Sequence, residues 1–239
     1  MGYTPRRKDH AIADIVPDVQ AIMDHFDPDS KWCIAGRSAG GTYALACATA
    51  MPDRFRKAAT MCTPSPKDDE DRINPQAGKG WYQAMTEENV RIYSNPLNEN
   101  INQERREIVR RSQEDPEYYL RDYLWGILTE YDKKAIEKGD NYHKQMEAYR
   151  EAMRSPQAYE AWFDLTLALH NDWGINLEGN TVPTVLWHGE EDVLMPVYHA
   201  RRLKARMPNP NVRLIIESQK AHFNAFDVFP QILEWFSEK

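Results

Sequence analysis

Three residues of this chain are of the types that together turn a hydroxyl group into a nucleophile: Ser38, Asp192 and His222. A serine hydroxyl reacts slowly until a base within hydrogen-bond reach accepts its proton, and histidine suits that role because it titrates near neutral pH. A carboxylate beside the histidine orients the imidazole and stabilises its protonated form. This chemistry requires a fold that brings the three side chains together.

Ser38 lies at the apex of a predicted strand, turn and helix in residues 31–51. Residues 32–35 are an apolar run typical of a strand buried in a parallel sheet, and the alanine-rich residues 39–51 favour a helix. The sequence G-R-S-A-G at residues 36–40 suits a tight turn, because glycine lets strand and helix backbones pass close together. The context is typical of a nucleophile elbow. A glycine-rich turn with a solvated serine is the alternative.

The backbone N–H of Ala39 follows the predicted nucleophile and stands at the N-terminus of the predicted helix. Unpaired N–H groups and the helix dipole favour negative charge at such a position. We therefore predict that Ala39 donates a hydrogen bond to the oxyanion that forms during acyl transfer. Hydrolysis through an acyl-enzyme is the expected reaction.

Asp192 and His222 follow two further predicted strands. Residues 182–187 and 212–216 are short runs rich in β-branched residues, and Asp192 and His222 each fall in the loop that comes after one of them. Ligands collect at the carboxyl ends of parallel strands, and Ser38 is predicted at the same edge. We expect the three side chains to meet there.

Helices and strands alternate around these motifs, which predicts an α/β fold with a mostly parallel sheet of about four strands and helices on both faces. Residues 81–176 contain no convincing strand, and helices are predicted there at residues 104–113, 117–137 and 142–168. We predict a core made of residues 1–64 and 177–239, and a helical cap made of residues 65–176. Cap aromatics are candidates to line a substrate pocket or to form the core of the cap: Trp81, Tyr82, Tyr119, Tyr123, Trp125, Tyr159, Trp162, Phe163 and Trp173.

The chain resembles the α/β-hydrolase family in three motifs that occur in that family's order. Residues 36–41 (G-R-S-A-G-G) are similar to its nucleophile elbow, residues 187–196 to its acid loop, and residues 221–223 to its histidine loop. The resemblance is to capped serine esterases. It implies a serine hydrolase that cleaves an ester, lactone or related acyl substrate with Ser38 as nucleophile, and it implies no cofactor or metal.

Other side chains compete for these roles. His188 ends a predicted strand and is an alternative base, although it precedes Asp192 and matches no base motif. His199 is expected on a helix surface. Arg37, next to the serine, either meets an acidic group of the substrate or packs and points to solvent.

The chain departs from the family because only 37 residues precede Ser38. The family places several strands there, and a loop that donates the second oxyanion N–H. Gly2 and Tyr3 resemble the end of the Gly-Tyr-Gly loop that comes before the first helix. We expect the strand at residues 31–36 to have a free edge that pairs with a second copy of the chain or with a separate amino-terminal fragment, unless the chain is a shortened version of a longer hydrolase. The alternative function is a weak or inert, truncated hydrolase-like protein that acts as a binding module or needs a partner chain to complete the oxyanion hole.

Composition restricts the partners. Lys and Arg number 30 and Asp and Glu 37, a net charge of −7, which argues against a nucleic-acid-binding face. No apolar run of membrane-spanning length and no leader-like start occurs. Cys33, Cys47 and Cys62 are odd in number and lack metal-ligand spacing, so we predict buried reduced thiols and a cytoplasmic location. The expected partner is a small acyl substrate.

Overall fold

Four parallel strands form one sheet in the computed structural model, which describes residues 6–76 and 78–238. The strands pair in chain order, and each carboxyl end lies at the same edge of the sheet. They are β1 (Trp32–Arg37), β2 (Phe55–Met61), β3 (Thr184–Gly189) and β4 (Val212–Glu217). The predicted fold class is confirmed.

Helices connect the strands and cover the sheet. In chain order they are α1 (Val16–Phe26), α2 (Ala39–Ala50), α3 (Asp69–Ile73), α4 (Glu87–Ser94), α5 (Glu99–Glu114), α6 (Glu130–Glu137), α7 (Asn141–Arg154), α8 (Ala158–His170), α9 (Tyr198–Arg206) and α10 (Ala225–Ser237). A 3₁₀ turn at Ile12–Ile15 precedes α1, so Pro17 lies in a fresh first turn where its missing N–H costs nothing. None of the helices in the described ranges is long and apolar enough to cross a membrane.

The sheet separates two apolar layers. Leu186 of β3 points toward α2 and α9, where it packs with Leu45 and Leu203. Its neighbours Val185 and Trp187 point the other way and pack against α10. All six residues of β3 are buried, as expected of a central strand with helices on both faces.

The segment between β2 and β3 is helical, and its breaks have local causes. The predicted helix at residues 142–168 divides into α7 and α8 because Ser155, which precedes Pro156, adopts an extended conformation (φ −61°, ψ 134°). The predicted helix at residues 117–137 is wrong as a single element. It begins as a π-helix at Tyr119–Leu124, and α6 starts separately where the Thr129 side chain accepts the N–H of Asp132.

Strand β1 lies at an edge of the sheet. Within the described residues it pairs with β2 alone, and all six of its residues are half-buried, in contrast to β3. The edge anticipated at residues 31–36 is therefore confirmed for this part of the chain. An unpaired row of backbone N–H and C=O groups is a template for another strand.

We expect this edge to pair, so the purified chain should form a homodimer or bind a separate amino-terminal fragment. Light scattering over a concentration series measures whether the chain forms the homodimer. Cys33→Lys should weaken self-association, because lysine on an edge strand opposes pairing and Arg56 already lies beside Cys33. A chain that stays monomeric at every concentration, and does not bind the fragment, would contradict this expectation.

Two imidazoles, the buried His199 and the half-buried His170, contact the loop that follows β2. His199 is fully buried, so its prediction as a helix-surface residue was wrong, and its Nδ1 accepts the N–H of Ser65 at 3.3 Å. Burial lowers its pKa to about 3, helped by the positive potential of nearby basic groups. Nδ1 of His170 is 3.0 Å from Nζ of Lys67, and burial followed by the Lys67 charge lowers the pKa of His170 to about 4.

Stability should fall as the pH drops from about 6.5 toward 4. In that window the unfolded chain binds protons on His170 and His199 that the folded chain does not, so the free energy of unfolding decreases with decreasing pH. Thermal unfolding at pH 4.5, 5.5, 6.5 and 7.5 measures this. His199→Asn keeps an acceptor for the Ser65 N–H and should show a shallower dependence of Tm on pH. The wild-type slope in that variant would contradict the assignment.

Candidate functional site

Ser38 occupies a strained turn between β1 and α2. Its backbone has φ 52° and ψ −130°, a conformation that residues other than glycine rarely adopt. Two hydrogen bonds hold the turn: the Ser38 N–H donates to the carbonyl of Met61 at 2.8 Å, and the Gly41 N–H donates to the carbonyl of Ser38 at 3.0 Å. The structure thus compensates a strain that is typical of functional residues.

Gly36 and Gly41 make the turn possible, whereas Gly40, the second glycine of the G-R-S-A-G motif, is not needed for it. A Cβ on Gly36 would lie 2.2 Å from the carbonyl oxygen of Gly40, and a Cβ on Gly41 would lie 1.8 Å from Oγ1 of Thr63. A Cβ on Gly40 would meet nothing within 4 Å. The expectation that both glycines flanking Ser38 are needed for close approach is therefore wrong at Gly40.

His222 and Asp192 form a buried hydrogen-bonded pair. Nδ1 of His222 donates to Oδ2 of Asp192 at 2.8 Å, and Oδ1 accepts the backbone N–H groups of Leu194 and Met195, both at 2.9 Å. Burial alone raises the pKa of Asp192, but the positive charge of His222 and hydrogen bonds from His188 and His222 outweigh it and hold the pKa below the usual range. Asp192 is therefore ionised at neutral pH.

Ser38 and His222 line the same cavity, whose volume is about 200 Å³. Because Nδ1 of His222 is bonded to Asp192, Nε2 is the nitrogen left for a hydroxyl nucleophile. The structure thus gathers the three predicted residues at the carboxyl edge of the sheet. Ala39 is the first residue of α2, so its N–H is one of the helix's unpaired N-terminal donors. Gly2 and Tyr3 lie outside the described residues.

His188, the alternative base, is directed elsewhere. It is buried, and its Nε2 lies 2.6 Å from the carbonyl oxygen of Met195 and 3.5 Å from Oδ2 of Asp192. A carbonyl oxygen only accepts, so Nε2 carries a proton and cannot take one from Ser38. His188 therefore stabilises the loop that carries Asp192.

Cys62 completes a cluster with the pair, since ligand atoms of Cys62, Asp192 and His222 lie within 4.8 Å of one another. Burial raises the pKa of the Cys62 thiol well above its usual range, and the Asp192 charge raises it further. A metal ion binds the thiolate form, which is disfavoured here. The Asp192 oxygens are also already engaged. The chemistry of this cluster does not fit a metal site, and Cys62 packs as a neutral thiol under the loop at Ala221.

Asp132 also reaches the site, which no motif in the sequence predicts. Oδ1 of this buried residue accepts the N–H of Phe223 at 2.8 Å, directly after His222, while Oδ2 accepts the Thr129 hydroxyl at 2.9 Å. The spacing of Thr129 and Asp132 is a recognisable helix-capping signal. The contact with Phe223 joins residues 91 positions apart and has no local signal.

Aromatic side chains form much of the cavity wall: Tyr93, Tyr119, Tyr123, Tyr149, Trp162 and Phe223. Among the aromatics expected to line a pocket, Tyr119, Tyr123 and Trp162 do so, whereas Trp81 and Trp173 are fully buried in apolar clusters. Arg37 also lines the cavity. Its guanidinium stacks 4.8 Å from the ring centre of Phe226, and its Nη2 donates to Gln145 at 3.4 Å.

The chain is similar to known alpha/beta hydrolases in sequence pattern and in fold. A family model described as alpha/beta hydrolase fold matches residues 1–228. An esterase from Thermogutta terrifontis is 17% identical with a TM-score of 0.60, covering 98% of this chain and 75% of the esterase. MGS-M2, an alpha/beta hydrolase enzyme from a Medee basin deep-sea metagenome library, is 14% identical with a TM-score of 0.64, covering 100% of this chain and 76% of MGS-M2. An enol-lactonase from Burkholderia xenovorans LB400 is 16% identical with a TM-score of 0.56, covering 97% of this chain and 74% of the lactonase. No curated protein matches.

The glycines of the elbow should differ sharply when replaced. Gly36→Ala should destabilise the fold by about 3 kcal/mol, because its methyl group meets backbone atoms that cannot move aside. Gly40→Ala, the matched control, should be neutral or stabilise by up to about 1 kcal/mol, because helix position 40 is open. Urea unfolding of both variants measures the difference. Equal stability of the two variants would contradict the steric account.

Proposed function

The chain belongs to the alpha/beta hydrolase fold family, and we propose that it is a serine hydrolase that cleaves an ester, lactone or related acyl substrate. The observation that carries the proposal is the His222–Asp192 hydrogen bond beside a cavity that Ser38 also lines. Ser38 is the nucleophile, His222 the base and Asp192 the acid that orients it. The esterase and enol-lactonase among the similar folds support an acyl substrate.

The reaction proceeds in two halves. In the first, Nε2 of His222 accepts the Ser38 proton as Oγ attacks the acyl carbon, and the Ala39 N–H donates to the developing oxyanion. The imidazolium then protonates the leaving oxygen, the bond to it breaks, and an acyl-enzyme remains. In the second half a water molecule attacks that ester, His222 accepts the water proton and returns it to Oγ, and the acid product leaves.

Asp192 contributes by remaining ionised throughout. Its charge stabilises the imidazolium that forms on His222, and its hydrogen bond selects the tautomer with the proton on Nδ1. Two backbone N–H groups hold the carboxylate in place, so it does not have to reorganise as the charge on His222 appears.

A weak or inert protein is the second candidate. It is favoured by a specific observation, since Ala39 is the one oxyanion donor that we assign within the described residues. Removing a single oxyanion donor slows a serine protease by about 10²–10³. In this case a separate chain that pairs with β1 would supply the second N–H.

A cytoplasmic location, suggested by three free cysteines, also stays a prediction.

Ser38→Ala should abolish hydrolysis of p-nitrophenyl esters and labelling by a fluorophosphonate probe, with kcat lowered by about 10⁴–10⁶. Asp192→Asn should impair turnover by about 10⁴ because the histidine tautomer is lost. Ser30→Ala, which alters an exposed serine in a turn, is the matched control and should behave as wild type. Full activity of Ser38→Ala would overturn the proposal. Absence of probe labelling in the wild-type chain would favour the inert alternative.

A further inference from the structure

The turn that carries the base is held from both sides. It is a 3₁₀ turn at His222–Asn224 that leads into α10. Before the turn, the carbonyl of Lys220 accepts the N–H of Glu191 at 2.8 Å, from the loop after β3. Within the turn, the N–H of Phe223 donates to Oδ1 of Asp132 at 2.8 Å. Asp132 belongs to α6, so the helical segment fixes the backbone directly after the base.

Asp71 offers a comparison within the same chain. Like Asp132, it caps the start of a helix with Oδ2. Its Oδ1 also accepts a backbone N–H from another element, that of Trp81, at 2.7 Å. Asp71 has a counter-charge as well, because Arg202 donates to its Oδ2 at 2.6 Å. In the described part of the chain Asp132, which is fully buried, lacks the cationic Lys or Arg partner that Asp71 has.

The basic group that compensates Asp132 is the imidazole of His222. The N–H groups of Phe223 and Thr129 donate to the two carboxylate oxygens, an arrangement that suits the ionised form. Burial raises the pKa of Asp132, and the Asp192 charge raises it further, whereas the hydrogen bond from Phe223 and the charge of His222 lower it. A buried charge is costly without a partner. The imidazolium that forms on His222 during the reaction supplies that partner.

We propose that Asp132 is a positioning residue for the base: it fixes the turn that holds His222 beside Ser38, and its negative charge favours the imidazolium. The proposal rests on the hydrolase function above, because it concerns the base of the same site. Asp132 does not belong to the cavity wall, so it acts on His222 and not on the substrate. The helical segment then contributes to the reaction as well as to the wall of the cavity.

Charged and titratable groups come toward His222 from several elements. They are Asp192 after β3, Cys62 after β2, Asp132 on α6, Arg37 on β1, Lys220 and Asp227 beside the turn, and the cavity residues Tyr93, Tyr119, Tyr123 and Tyr149. Burial raises the pKa of the Cys62 thiol and of the four tyrosines, so these groups are neutral near pH 7. Lys220 and Asp227 pair with each other. Asp192 and Asp132 therefore favour positive charge on His222, and Arg37 opposes it.

Two variants of Asp132, assayed with a p-nitrophenyl ester, test the proposal. Asp132→Ala should lower kcat by about 100-fold and leave KM within about twofold, because both halves of the reaction use His222 and no contact with the substrate is lost. Asp132→Asn keeps an oxygen for the Phe223 N–H and should recover most of the lost kcat. The acid limb of its kcat/KM profile should lie at lower pH than in the wild type, because a negative charge near the imidazolium is gone.

Two control variants remove other features of the same region. Thr129→Ala deletes the side-chain cap of α6 but leaves the bond from Asp132 to Phe223. It should lower Tm and change neither kcat nor the acid limb. Lys138→Met breaks the ion pair with Asp227 at 2.5 Å, which joins the end of α6 to α10. It should also leave kcat and the acid limb unchanged.

Three results would overturn the assignment. The first is a wild-type kcat in Asp132→Ala. The second is a loss in Thr129→Ala as large as in Asp132→Ala, which would mean that Asp132 acts only by stabilising α6. The third is an acid limb of Asp132→Asn that coincides with the wild-type limb. The third test decides alone if Asp132→Ala does not fold, because asparagine has nearly the same shape as aspartate.

Proton NMR separates this inference from the proposed function. The Nδ1 proton of His222, buried and bonded to Asp192, should resonate downfield of the amide protons and be absent in His222→Gln. It should shift in both Asp132 variants and keep its wild-type position in Thr129→Ala. If the wild-type chain hydrolyses no ester and the resonance responds in this way, the hydrolase proposal fails and the positioning role stands. A resonance that does not move in the Asp132 variants would overturn that role even if the ester is hydrolysed.

Discussion

The site depends on the hydrogen bond between His222 and Asp192, which requires the loops after β3 and β4 to touch. The strands pair up to Gly189 and Glu217 at their carboxyl ends, and the Glu191 N–H then donates to the carbonyl of Lys220 at 2.8 Å. A Cβ on Gly189 would lie 2.5 Å from that Lys220 backbone, so only glycine permits this approach. The triad geometry is therefore set by sheet register and one close backbone contact.

The helical segment over the sheet is also part of this arrangement. One carboxylate oxygen of Asp132 accepts the backbone N–H and the hydroxyl of Thr129 at the start of α6, and the other accepts the N–H of Phe223. The position of α6 and the position of His222 therefore depend on each other. Burial raises the pKa of Asp132 despite the hydrogen bond from Phe223. Movement of α6 would thus release the loop that carries His222.

Local signals in the sequence were enough to predict the elbow, the four strands and the loops that carry Asp192 and His222, because each depends on neighbours within a few residues. Contacts across long stretches of chain left no such signal. Asp132 is 91 residues from its partner Phe223, and His199, on an apparently polar helix, is buried and bonded to Ser65, 134 positions earlier in the chain. Gly40 matched the motif, although only Gly36 and Gly41 meet steric limits.

The amino-acid composition indicates the net charge of this protein but not the charge of the cavity beside Ser38 and His222. The chain carries a net charge of −7, yet the half-buried Arg37 lines the cavity and no Asp or Glu belongs to its described wall. Exposed charges act through water and are screened within about 8 Å at physiological salt, whereas a charge in a poorly solvated cavity acts through a medium of lower dielectric. The net charge of the whole chain therefore does not predict the electrostatic potential in the cavity.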